Sequence, residues 1–304
     1  MKKMLFIMNP YAGQRKGCAN LAGVLEIFNR AGYEVTVYMT AGPGDGEAYV
    51  RQHAANADVV VCCGGDGTFN ETISGILGEG LSVPVGYIPA GSTNDFAASL
   101  GISTDNLQAA HDIVEGNVRK VDVGLFGQRY FSYVASFGAF TRASYATPQS
   151  LKNVLGHAAY VLSGIAEITQ IKAEEVCIEL PDGSILNGPF LFGTISNSTS
   201  VGGILTLSHD RVDMSDGKLE IMLVRAPNNL TEVGELIAAM QNQTYNCSMM
   251  TFLSTDSLKL TAKESMAWTL DGEQQDGVSE VEVRCVRHAL NVLLPPKNTK
   301  ELTA

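Results

Sequence analysis

The sequence predicts two domains: an N-terminal α/β domain on a doubly wound parallel sheet, and a β-rich antiparallel C-terminal domain. Three observations carry that expectation. Up to about residue 125, short apolar runs alternate with stretches of helical periodicity, the pattern of successive strand–helix units that build a parallel sheet. Two of the apolar runs end in glycine-rich turns. From about residue 127, short alternating segments take over, which is how half-buried antiparallel strands read.

Taken in order, residues 4–8 form an apolar strand, and Leu21, Val24, Leu25 and Phe28 recur at helical spacing. Residues 33–39 alternate as a strand. A helix near 47–55, a strand at 58–63, a helix at 68–78, a strand at 83–88 and helices at 94–100 and 105–115 follow. In the second domain strands are expected at 129–137, 176–180, 185–196, 218–225, 257–261, 266–270 and 280–286, with helices at 149–169 and 230–242. Asp182-Gly183 makes a hairpin turn between two of these strands. The expected domains are 1–126 and 127–289.

Composition narrows the function. The 304 residues have room for two cores, and 45% hydrophobic with 17% charged residues is an ordinary folded composition. A formal charge of −11, from 21 basic and 32 acidic residues, argues against nucleic acid and against a basic lipid-holding surface. The basic clusters Arg15-Lys16, Arg119-Lys120 and Arg284/Arg287/His288 are short and read as solvated faces, with Arg15-Lys16 the pair placed to meet phosphate. Cys18, Cys62, Cys63, Cys177, Cys247 and Cys285 form no Cys-x-x-Cys pair and have no zinc-type histidine spacing. That usage suits a reducing compartment and a cytoplasmic location, where Asn197-Ser198-Thr199 is a chance triplet. The apolar run after Lys2-Lys3 stops at Asn9-Pro10, too early for a signal peptide. No segment approaches the roughly 20 apolar residues of a membrane span.

The most informative junction is Gly64-Gly65-Asp66-Gly67-Thr68-Phe69-Asn70, directly after the buried run 57–63. Glycines let main-chain N–H groups come close to a ligand, and the helix that follows aims its unpaired N–H groups the same way, which suits phosphate. Asp66 would repel a bare phosphate, so its presence points to a bridging cation. A second turn of the same kind, Pro89-Ala90-Gly91-Ser92-Thr93-Asn94-Asp95-Phe96, follows the run 83–88. Two adjacent strand ends carrying glycine, threonine and aspartate read as one polyphosphate and metal site in the crevice beyond the sheet. Gly42-Pro43-Gly44-Asp45-Gly46 lacks the G-x-G-x-x-G spacing of a dinucleotide fingerprint, and no G-x-x-x-x-G-K-[ST] loop exists.

The pair Gly64–Thr68 and Gly91–Phe96 resembles the diacylglycerol kinase catalytic family, in particular its bacterial soluble lipid kinases, with the NAD kinase/diacylglycerol kinase-like fold. Asn9-Pro10, Val121-Asp122-Val123-Gly124, Asp216-Gly217-Lys218-Leu219 and Leu270-Asp271-Gly272-Glu273 extend the likeness over nearly the whole chain. The resemblance implies an ATP-dependent kinase using Mg2+ and acting on a lipid alcohol, most simply diacylglycerol, at a membrane surface. A homodimer is left open. It also implies that the apolar tail returns to the first domain, giving that domain residues 290–304.

Site residues follow from the same likeness. Asn9, Pro10, Thr40, Gly64, Gly65, Asp66, Gly67, Thr68, Asn70 and Thr93 would hold the nucleotide. Asp66, Asp95 and Asp122, expected to end strands of the first domain, would hold Mg2+, through water where needed. Asp271 would take the proton of the lipid hydroxyl with Glu273 assisting, a role that needs the two domains to close on each other. Asp213, Asp216 and the Lys218 carbonyl would hold a structural ion. Plainer readings stand beside these: Asp95 as a helix cap, Asp122 as a turn residue, Asp271-Gly272 as a hairpin turn, and 213–218 as a simple turn. Ala98 stands where the family often has arginine, and His157 reads as a surface or core residue. NAD kinase shares Gly64–Thr68 but usually carries a further Gly-rich, Ser/Thr-containing motif that is not found here. A non-catalytic nucleotide-binding regulator is the remaining alternative, disfavoured by the intact aspartates.

Overall fold

The computed structural model describes residues 1–15, 20–138, 173–201, 205–207 and 211–295. The expected helix at 149–169 with His157, together with Lys16 and Cys18, lies outside the described residues. The chain divides into two compact units. The first comprises Met1–Val123, Ser198–His209 and Arg287–Ala304, and the second Gly124–Asn197 and Asp210–Val286.

In the first unit β1 (Lys2–Met8) is followed by a single turn, α1 (Ala12–Arg15), and by α2 (Leu21–Arg30). Then come β2 (Tyr33–Met39), α3 (Asp45–His53), β3 (Val59–Gly64), α4 (Asp66–Gly78), β4 (Val85–Pro89), α5 (Asp95–Leu100) and α6 (Asn106–Glu115). All sheet pairs among these strands are parallel, in the order β4-β3-β1-β2. Alternation along each strand sets the two faces. Met4, Phe6, Met8, Val59, Val61 and Cys63 face one way and pack with Val24 and Phe28 of α2 and Ala109, Ala110 and Ile113 of α6. Cys62 is buried too, on the opposite face. Each valine, isoleucine, phenylalanine or methionine among them removed from water contributes roughly 1.5–3 kcal/mol. The chain end also belongs here, since Val292 pairs in parallel with Val85.

A short hairpin from the middle of the chain joins the same unit, a segment the sequence reading assigns to the second domain. It consists of β10 (Ser200–Val201) and β11 (Leu205–Thr206), paired antiparallel.

The second unit is antiparallel. The end of β5 (Asn117–Phe126) turns back on β6 (Arg129–Phe131). It continues with β7 (Val134–Gly138), β8 (Glu174–Glu179), β9 (Ile185–Ser196), β12 (Leu219–Arg225), α7 (Leu230–Gln241), β13 (Met250–Thr255), β14 (Ser257–Leu270) and β15 (Glu273–Leu294). The order is β13-β12-β9-β7-β14-β15, with β8 pairing both β9 and β14. Two segments expected as separate strands, 257–261 and 266–270, are one strand with irregular register between Thr261 and Trp268. β13 is not anticipated by the sequence pattern. The core gathers Trp268, Phe126, Phe131, Phe137 and Phe190 around Ile178, Ile221 and Leu260. Among the described residues no helix is long and apolar enough to cross a membrane.

Candidate active site

Both glycine turns lie at the carboxyl ends of neighbouring strands. β3 runs out at Gly64 and α4 begins at Asp66, two residues before the expected start. Gly65, in extended backbone, is the N-cap and lays no side chain over the first turn. The leading N–H groups of a helix have no acceptor within it, and the dipole adds positive character there. The second turn closes on the first, since Ala90 N donates to Gly64 O at 2.8 Å. A Cβ on Gly91 would lie 2.6 Å from the Gly65 Cα, so the two turns meet main chain to main chain. Asn94, in left-handed backbone at φ 52°, folds back on Gly91. Its Oδ1 accepts from Gly91 N at 2.9 Å and its Nδ2 donates to Gly91 O at 3.1 Å.

Polar side chains tie the turns further. Thr93 Oγ1 donates to Asp66 Oδ2 at 3.2 Å, and Asp95 N donates to the same oxygen at 3.4 Å. Asn9 N donates to Cys63 O at 3.0 Å, and Asn9 Nδ2 to Thr68 Oγ1 at 3.1 Å. Pro10 follows directly, and Thr40 N donates to Met8 O at 2.9 Å at the same end of β1. Asn70 lies one turn into α4, where Ser74 Oγ donates to its Oδ1 at 3.5 Å. Behind the turns Phe69 stacks with Phe96, with ring centroids 4.5 Å apart, and meets Tyr87 at 4.4 Å. These three rings come from α4, β4 and α5, so the packing that fixes the helix starts also fixes the turns.

The nearby 42–46 loop illustrates a cradle already filled. Gly44 N and Gly46 N donate to Glu71 Oε1 and Oε2 at 2.7 and 3.0 Å, so a carboxylate of α4 sits on the N-terminal turn of α3.

Asp95 opens α5, is buried, and accepts from Ser200 Oγ through its Oδ1. The hydroxyls continue from there. Ser99 Oγ donates to Asp95 O at 2.9 Å, lies 2.7 Å from Ser198 Oγ and accepts from Thr199 N at 3.2 Å. Sequence reasoning missed this support, although the hydroxyl-rich run Ser196-Asn197-Ser198-Thr199-Ser200 was a signal for it.

Asp122 is a correction. It lies inside β5 and not at a strand end, fully buried, with its Oδ1 accepting from His288 N at 2.6 Å. β5 runs on to Phe126 because its end is paired with β6, which places Asp122 mid-strand. Among the described residues no three acidic, histidine or cysteine side chains converge closely enough to hold a cation directly.

In the second unit Asp271-Gly272 is the turn between β14 and β15, with φ of 49° and 83° and Leu270 paired to Glu273. Positive φ at both central positions is the geometry of a tight type I′ hairpin. The Asp271 carboxylate is buried and accepts from Ser132 N and Oγ, Tyr133 N and Val134 N at 2.6–3.1 Å. Burial pushes this carboxyl up from its ordinary value, against the pull of those donors. Glu273 opens β15 and is exposed.

The 213–218 turn is held by its own acids. Ser215 N and Oγ donate to Asp213 Oδ1 at 3.0 and 2.7 Å, and Lys218 N to Asp216 Oδ1 at 2.9 Å. Two residues on, Glu220 is buried on β12, its Oε1 accepting from Ser254 Oγ at 3.5 Å. Burial first, and then the Asp216 charge, push the Glu220 carboxyl up to about 8. A lone acid in a strand gave no sign of this in the sequence.

Comparison with known proteins places this architecture. The diacylglycerol kinase catalytic domain family matches residues 3–126, and the YegS C-terminal NAD kinase beta sandwich-like domain matches residues 134–294. A diacylglycerol kinase of Bacillus subtilis (strain 168) is 31% identical over 304 residues, covering 99% of each chain. One from Staphylococcus saprophyticus is 32% identical over 274 residues, covering 90% of this chain and 89% of the relative. A solved structure of a diacylglycerol kinase from Bacillus anthracis str. Sterne superposes with a TM-score of 0.77 at 23% identity, over 97% of this chain and 98% of that one, a likeness of fold. The fold is that of a phosphotransferase family. The chain belongs to the diacylglycerol kinase catalytic family and is a lipid kinase. Membership in a kinase family implies ATP as the phosphoryl donor and a divalent metal.

Proposed function

We propose that the chain transfers the γ-phosphoryl group of ATP to the hydroxyl of diacylglycerol, giving phosphatidic acid, with Mg2+ as the cation and the reaction run at a membrane surface. The observation that carries this reading is the contact of the two glycine turns at Gly65 and Gly91, with Asp66 drawn into the second turn by Thr93 and Asp95 N. Phosphoryl transfer is mostly positioning and charge neutralisation, and this arrangement supplies both. The α4 N-terminus and the glycine main chain receive phosphate oxygens, while Asn9 orients Thr68 beside them.

The donor set fits Mg2+, which binds few carboxylates and keeps several waters. Asp66 and Asp95 are buried acids on adjoining turns and would hold it through water and phosphate. Bound there, the cation neutralises charge on the transferring group. Asp122, mid-strand and with its Oδ1 accepting from His288 N, would serve this set only through water. Asp271 is the proton acceptor for the lipid hydroxyl, assisted by Glu273. Its raised proton affinity suits a base. The reading therefore asks both units to serve one reaction. Asp213, Asp216 and the Lys218 carbonyl hold a structural ion.

Labelled ATP with Mg2+ and micelles of diacylglycerol, phosphatidylglycerol, ceramide or undecaprenol, with NAD in parallel, tests the reading. Label in phosphatidic acid is expected. Label in NADP and none in lipid would replace it with NAD kinase activity.

A further inference from the structure

Among the described residues at least four donors reach Asp271. Oδ2 accepts from Ser132 N at 2.6 Å and Ser132 Oγ at 2.8 Å, and Oδ1 accepts from Tyr133 N at 3.0 Å and Val134 N at 3.1 Å. A carboxylate offers about four lone-pair positions, so a base in this state has no position left for an incoming hydroxyl. Three of the donors are peptide N–H groups. They are anchored by the chain, since Asp271 N donates to Val134 O at 2.8 Å and Val134 opens β7. The fourth is a hydroxyl, and it leaves by rotation about one side-chain bond.

We propose that Ser132 is a positioning residue that controls when Asp271 accepts a proton. Its hydroxyl aligns the carboxylate and favours its charged form at rest, and its swing away from Oδ2 opens the position at which the substrate proton is received. This rests on Asp271 being the base. In the step, the acceptor O–H bond breaks and its proton goes to Asp271 Oδ2. The acceptor oxygen bonds to the γ-phosphorus as the bond to the bridging oxygen breaks, and ADP leaves with that electron pair. Ser132 keeps its own proton. Ser132 and Asp271 are both buried, at 0% and 4% relative exposure.

The charged and titratable groups beside Asp271 are few among the described residues. The bend before β7 brings the Tyr133 phenol and the start of β15 brings Glu273, whereas Val134–Gly138 of β7 and Trp268-Thr269-Leu270 of β14 bring none. Burial raises the proton affinity of the carboxyl and the donors lower it. A hydrogen bond to a charged group is among the stronger ones, and its loss moves a pKa by about one to two units.

The test is the pH profile of kcat for lipid phosphorylation in Ser132→Ala, Ser132→Thr and Ser132→Cys, with melting temperatures to establish folding. ATP ionisation is common to all of them, so differences between profiles isolate Asp271. Ser132→Ala is expected to move the acidic limb up by about one pH unit, with a rate loss about tenfold greater on that limb than on the plateau. Ser132→Thr, which keeps the hydroxyl, returns the limb to its original place. Should Ser132→Ala fail to fold, Ser132→Cys, a weaker donor, shifts the limb in the same direction. An unmoved limb in a folded variant overturns the inference, as does a plateau collapse without a shift, which would make the hydroxyl a relay. Asp271→Asn separates the two readings. If it still phosphorylates lipid, the base assignment falls; if it is inactive while the Ser132→Ala limb stays put, only the role of Ser132 falls.

Discussion

Gly65 and Gly91 touch through their main chains. A Cβ on Gly91 would stand 2.6 Å from Gly65 Cα and 2.7 Å from Asn94 Oδ1, while one on Gly65 would stand 3.2 Å from Gly91 Cα. The two substitutions therefore differ in severity. Gly91→Ala forces backbone apart, and Gly65→Ala asks for a few tenths of an ångström. ATP with Mg2+ is expected to raise the melting temperature of the wild type by mass action. Gly65→Ala reduces that shift, and Gly91→Ala abolishes it at millimolar ATP. Equal shifts in all three proteins would remove the nucleotide from these turns.

Asp66 separates charge from shape. Asp66→Asn keeps an oxygen for Thr93 Oγ1 and Asp95 N, so the turns remain joined. What it loses is the charge proposed to face the cation. Turnover is expected to fall about 10²-fold or more, on the scale of losing one electrostatic element of a catalytic site, with the melting temperature nearly unchanged. Titration with Mg2+ checks the cause, since the residual activity should need more of it. Wild-type turnover at ordinary Mg2+ would sink the role.

Much of this site was legible in the sequence because it is local. A strand, a glycine turn and a helix start are contiguous, and two such units identify themselves at 64–70 and 89–96. The rest was not legible because it is carried by distant partners. His288 N holds Asp122 across 166 positions and the Ser132–Val134 main chain holds Asp271 across 137 to 139. The segment from Ser198 to Ser200 has its partners about a hundred positions away, and its hydroxyl bonds to Ser99 and Asp95 show which unit it serves. Glu220 is a lone acid amid apolar residues, and its burial depends on strands far along the chain.

Glu220 predicts a pH dependence of stability. Its folded pKa, about 8, stands above the ordinary 4.5, so the folded state keeps a proton that the unfolded chain releases. Stability from this group is full below about pH 4.5, falls as pH rises and is lost by about pH 8. Glu220→Gln carries no such linkage. With EDTA present to keep cations off the neighbouring acids, the melting temperature of the variant relative to wild type should climb between pH 5 and 8. Parallel curves over that range would mean that the carboxyl ionises as readily folded as unfolded.

Asp271→Asn tests the base and is less innocent than the turn suggests. Asparagine suits the left-handed backbone of a tight Asn-Gly hairpin as well as aspartate does. The cradle is another matter, because Ser132 N, Tyr133 N and Val134 N all donate toward the carboxylate. An amide puts an NH2 where one of those oxygens stood, leaving donor against donor. A buried donor without its acceptor costs about 1–3 kcal/mol, so the variant is expected to melt several degrees lower. Rates must therefore be read well below that melting point. There, lipid phosphorylation should fall by about 10²–10⁴-fold, the usual contribution of a general base, while the ATP-induced rise in melting temperature persists because the glycine turns are untouched. A purely structural aspartate would show the stability loss with a near-normal rate. That outcome would place the proton acceptor elsewhere and end the mechanism proposed for Asp271.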